Sequence, residues 1–176
     1  QRKFALMLAD KTLKIGVITK ESGFYVWPLT TLGPISQENY KRFLEALRSC
    51  LNDEDPEIRF MAVNVLKKVE DKSALRPMLF LLGDSNLRVR KAAIKAIGFI
   101  GIERGNSFVT QVRDGKEENI SIVRSLLPLL KDRDPGIRIA AVEALSYSRD
   151  KEAVSAVASF LKDSDPSLRV AAAKSL

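Results

Sequence analysis

The residues best equipped for chemistry in this chain are acids and arginines at fixed separations. Asp53 and Asp55, Asp132 and Asp134, and Asp163 and Asp165 are carboxylate pairs, followed by Arg59, Arg138 and Arg169; a fourth copy keeps Asp84 and Arg90. Paired carboxylates can do acid–base work when one holds a proton and the other is ionised. Here the pairs recur at regular junctions, which argues for capping and ion pairing instead. The sequence contains no histidine and one cysteine, so a histidine base, a histidine metal ligand and a cysteine-rich zinc site are all excluded. Gly98, Gly101 and Gly105 are loosely spaced and lack the Lys-Ser/Thr pair of a phosphate loop. No catalytic residue, metal site or cofactor is expected, and the chain reads as non-enzymatic.

The elements that position these residues are helices in a repeat. The arginines at 59, 90, 138 and 169 are 31, 48 and 31 residues apart, one period interrupted by a 17-residue insertion. A period in this range is the signature of stacked solenoid units. Asp55-Pro56, Asp134-Pro135 and Asp165-Pro166 each combine an N-cap acceptor with a proline at the first helical position. The helix that follows carries an apolar face, Ile58, Ala62, Val65, Leu66 and Val69 in the first unit. After a short break a second helix begins, with Leu75, Met78, Leu81 and Leu82. These recur as Val123, Leu126, Leu129 and Leu130, then as Val154, Val157, Phe160 and Leu161. Small residues at 62, 93, 141 and 172 mark where helices approach closely. Each arginine is drawn toward the seam between units, where Asp55 or Asp84 is the best partner for Arg59.

The Asp-x-Asp-Pro-x-[Ile/Leu]-Arg-x-x-Ala pattern resembles the HEAT-like repeats first described in phycobilin lyases. The resemblance covers residues 53–176 and the half-unit before them; the second unit departs from it by lacking the proline. It implies an α-solenoid, mainly α, with second helices lining the concave face. Such repeats serve scaffolds, lyase subunits and DNA glycosylases alike, so function does not follow from fold. HEAT-like hydroxylases bind iron through His-Glu pairs, and this chain lacks the histidines. A lyase-subunit role would need a bilin client, which nothing beyond the repeat supports.

Residues 1–33 break the pattern and form a separate N-terminal region ahead of the 34–176 array. Three strand-like stretches, at Phe4–Leu8, Thr12–Val17 and Phe24–Trp27, predict a small β-meander capping the array, with a helix over Arg2–Ala9 as the alternative for the first piece. Ser36 is the expected N-cap of the first helix, with Ile35 and Tyr40 as a hydrophobic staple. Cys50 aligns with Leu81, Leu129 and Phe160 and reads as a small buried hydrophobe. The insertion at about 102–118 reads as a solvated loop punctuated by Gly105-Asn106 and Asp114-Gly115, or else as a docking loop presenting Phe108 and Arg113.

The chain is basic, with a net charge of +7 over 176 residues. No apolar run approaches the roughly 18 residues of a membrane helix, and a single cysteine provides no disulfide framework, so the cytoplasm is the default compartment. A protein partner on the concave face is the leading expectation, through Lys72, Arg76 and Arg124, with Phe108 and Arg113 on the insertion. Nucleic acid in a basic groove is the alternative; Ser155 and Ser159 in the third unit and the absence of an aromatic stacking row count against it. The sequence stops at Leu176 after a first helix whose partner helix is not encoded. This predicts a fragment of a longer array, or a second copy packed on the open end or the β cap.

Overall fold

The computed structural model describes residues 5–8, 14–19, 23–28, 37–103, 108–113 and 116–176. Strands β1 (Ala5–Leu8), β2 (Lys14–Thr19) and β3 (Gly23–Pro28) form an antiparallel sheet in that order, with Leu6 opposite Val17 and Val17 opposite Tyr25. The first piece is therefore strand and not helix, and β1 runs against the first repeat helix. Ser36, Ile35 and the expected cap and staple lie outside the described residues, as do the turns at Gly105-Asn106 and Asp114-Gly115.

From residue 37 the chain is helical. The second helices are α1 (Gln37–Ser49), α3 (Leu75–Phe80), α5 (Ile122–Leu126) and α7 (Lys151–Ser159), each continued by a turn of 3₁₀-helix. The first helices are α2 (Pro56–Lys68), α4 (Leu87–Ile97), α6 (Pro135–Leu145) and α8 (Pro166–Ser175). Prolines 56, 135 and 166 open their helices as expected, where a missing N–H costs nothing. In α4 the missing proline is compensated by Asn86, whose side-chain oxygen accepts from the Arg88 and Val89 amides at 2.9 and 3.3 Å.

The core runs between the two layers. Leu66, Ile97 and Leu145 are fully buried from the first helices, Met78, Leu126 and Val157 from the second. Ala62, Ala93, Ala141 and Ala172 are buried at one register position in all four first helices. With only a methyl group there, α2, α4, α6 and α8 pack flank to flank, whereas the second helices make no comparably close approach to one another. Gly98 extends this economy of volume beyond α4: a Cβ there would lie 2.6 Å from that of Ala144. A solenoid bends toward its more closely spaced layer. The first helices therefore line the concave side, which corrects the expectation that the second helices would.

The insertion is also not a loop. After a π-helical turn at Gly98–Glu103 the chain forms a hairpin of β4 (Phe108–Arg113) and β5 (Lys116–Ser121), with Val109 opposite Ile120 and Arg113 opposite Lys116. Val109 is buried, which anchors the hairpin on the array, while Phe108 beside it is 60% exposed. The pairing runs to Ser121, past the expected boundary at 118, so the hairpin leads directly into α5. Cys50 is half-buried against the core rather than enclosed by it.

Candidate functional site

At each unit junction the two acids have separate tasks. The first is an Asx turn: Asp53, Asp84, Asp132 and Asp163 accept the amide two residues on, at 2.7–2.9 Å. The second caps the following helix, as Asp55, Asp134 and Asp165 do. The repeated arginine closes the same turn. Its Nη1 donates to the carbonyl six residues earlier in all four units, from Arg59, Arg90, Arg138 and Arg169 to Asp53, Asp84, Asp132 and Asp163 at 2.7–3.0 Å. That clamp on the backbone was not anticipated.

The expected ion pair between units is unevenly developed. Arg59 grips Asp84 of the next unit through two hydrogen bonds, Nε to Oδ2 at 2.7 Å and Nη2 to Oδ1 at 2.8 Å. These bonds hold the Asp84 carboxyl below the usual carboxylate range, against the opposing effect of burial. Arg138 only approaches Asp165, at 3.8 Å. Arg90 keeps the carbonyl clamp, but its buried Nε has no hydrogen-bond partner. A further pair, Arg48 with the buried Asp71 at 3.6 Å, ties α1 to the turn after α2.

On the concave side, side chains of successive first helices reach one another across the alanine seam. Arg88 on α4 bonds Glu57 on α2 at 2.9 Å and lies 4.3 Å over the Phe60 ring. Lys95 pairs with Glu143 on α6 at 2.9 Å, and Lys91 with Asp134 at 3.5 Å. Gly136 leaves the space that the Lys91 side chain occupies; a Cβ there would collide with its Nζ. Lys67 lies 5.3 Å over the Phe99 ring. Between these pairs an apolar row is presented by Phe60, Ile139 and Val170, which share one register position, together with Phe99 and Tyr147, which share another. Val170 is 52% exposed and Tyr147 46%.

The cations singled out by sequence lie elsewhere. Lys72, Arg76 and Arg124 are exposed on the second-helix, convex side. Phe108 and Arg113 are on the hairpin, where the Arg113 side chain lies outside the described residues. Phe108 pairs with Ser121, which leads into the helix that carries Arg124, while Lys72 and Arg76 belong to the preceding second-helix segment. Among the described residues no group of three or more acids and cysteines is placed to hold a metal ion, and no helix is long and apolar enough to cross a membrane.

Two layers of helical hairpins, a repeated Asp-Arg junction and an alanine seam define a repeat array, and the HEAT-repeat profile matches residues 39–120 and 123–176. This chain belongs to the HEAT-repeat family. The HEAT array here is similar in structure to the complex of CpcE and CpcF of phycocyanin lyase from Nostoc sp. PCC7120, with a TM-score of 0.53 at 18% identity, covering 77% of this chain and 76% of that one. It also resembles Kap95p, in its complex with RanGDP, with a TM-score of 0.55, 15% identity and coverage of 84% and 19%. A designed armadillo repeat protein in complex with the peptide (KR)4 gives 0.52, 19% identity and coverage of 78% and 66%. At these identities the likeness is one of fold, and the chain spans only part of the length of the latter two. No curated protein matches in sequence.

Proposed function

We propose that this HEAT array is a non-enzymatic, cytoplasmic scaffold that binds a protein partner along its concave, first-helix face, with the β1–β3 sheet covering one end. The observation that carries this reading is an apolar row between ion-paired side chains, in which Val170 and Tyr147 are exposed and Ile139 and Phe60 half-buried. Aromatic and aliphatic groups in a frame of polar pairs are the usual anatomy of a protein-binding surface. Kap95p in its complex with RanGDP and the designed armadillo protein in its complex with a peptide, both similar in fold, support this reading. The missing histidines and the use of the acid pairs as turn formers and helix caps support the absence of catalysis.

Nucleic acid is disfavoured on this face because Arg88, Lys91 and Lys95 are already engaged by Glu57, Asp134 and Glu143. The test is affinity capture with and without nuclease, comparing the native chain with Tyr147→Glu/Val170→Glu. Both residues are exposed, so the fold should be kept. The expected result is a protein captured regardless of nuclease and lost with the double variant. Capture that disappears with nuclease would support nucleic acid instead.

A further inference from the structure

We propose a second, separate docking site on the convex side: a groove between α5 and α7 that takes an acidic, apolar peptide segment of a partner protein. The splay of the second helices opens a groove of about 660 Å³ there. Its floor is apolar, with Leu127 from one helix and Ala156 and Phe160 from the next, and its near wall carries Arg124 and Lys131. Arg124 lies on α5 and Lys131 at the end of the 3₁₀ segment that continues it, roughly 13 Å apart along the axis.

The contrast with the concave face identifies the occupant. There Arg88, Lys91 and Lys95 of α4 each have an acid partner, whereas Arg124, Lys131 and Arg76 make no ion pair among the described residues. Glu152 on the facing wall is one carboxylate against two cations, and among the described residues it is ion-paired with neither. The surface continues along the same register: Arg76 and Phe80 are one turn apart on α3, as Arg124 and Pro128 are on the next second helix, and Phe80 is 73% exposed. Unneutralised cations beside exposed apolar groups complement a segment in which acidic residues flank an apolar one. The groove also gives Arg124 the recognition role its sequence position suggested, on the opposite side of the array.

The test is selection of random dodecapeptides on the intact chain, followed by fluorescence anisotropy of the enriched peptides. The expected peptides are acidic and apolar, bind more weakly as salt is raised, and lose about tenfold or more in affinity to Arg124→Glu/Lys131→Glu. Ala156→Lys, which fills the floor and leaves both cations, should also abolish binding. Tyr147→Glu/Val170→Glu should leave these peptides bound, which separates this groove from the concave face. Circular dichroism checks that each variant is folded. A selection that returns no acidic peptide, or peptides whose affinity survives both groove variants, overturns the proposal. So does binding of a polyuridine oligonucleotide that is lost with Arg124→Glu/Lys131→Glu while no peptide is enriched.

Discussion

Arg59 and Asp84 lock the first unit onto the second through a forked ion pair, with both N–O distances below 3 Å and side chains only 12% and 5% exposed. Removing one member of such a buried pair leaves the other charge unsatisfied, at a cost of about 3–5 kcal/mol. Arg59→Ala should therefore lower the unfolding free energy by that order in a denaturant titration. The Arg88–Glu57 pair, with both side chains more than half exposed, serves as the comparison. Its loss should cost under about 1 kcal/mol.

Arg90 occupies the same position in the next unit and should behave differently. Its Nη1 donates to the Asp84 carbonyl, and its buried Nε has no hydrogen-bond partner among the described residues. Arg90→Ala is expected to cost about 1.5–3 kcal/mol, the range for one bond to a charged group, and less than Arg59→Ala in the same assay. Equal losses would mean that the second seam holds an ion pair after all.

Acid should unlatch the first seam. Because Arg59 holds the Asp84 carboxyl below its ordinary value, the ionised form stabilises the fold above the unfolded value of about 4. That contribution is lost as pH falls through the lower, folded value. Asp84→Asn should thus be less stable at neutral pH and show a shallower decline in melting temperature below pH ~4.

Gly98 and Gly83 form a matched pair of probes for the alanine seam. A methyl group at 98 would meet Ala144 Cβ at 2.6 Å and its Cα at 2.8 Å, while nothing lies within 4 Å of one at 83. Gly98→Ala is expected to destabilise by about 1–3 kcal/mol through overpacking. Gly83→Ala should leave the melt nearly unchanged.

The repeat was legible because its signals are local. A proline, an N-cap acid and an alanine at a fixed offset report on the backbone within a few residues, and all reappear in α2, α6 and α8. The role of the arginine was half legible. Its seam position could be read, yet a bond to a carbonyl six residues back depends on how the turn folds under the side chain. The concave side was misassigned because curvature reflects relative spacing of whole helices, which no single residue encodes. Ala62, Ala93, Ala141 and Ala172 held the clue, since the layer with the smallest contact residues packs most tightly. In the insertion, Asp114-Gly115 marked a turn, but Phe108–Arg113 and Lys116–Ser121 alternate too weakly in polarity to declare strands. Phe80 drew no notice because one exposed aromatic residue in a helix acquires meaning only beside Arg76 and the groove.

The most direct test of the proposed scaffold role is photo-crosslinking in cells with a benzoylphenylalanine placed at Tyr147, on the concave face. The account predicts a discrete protein adduct that resists nuclease and disappears when Val170→Glu is added. An adduct that nuclease removes, or no protein adduct at Tyr147 under conditions where the chain is folded, would contradict it.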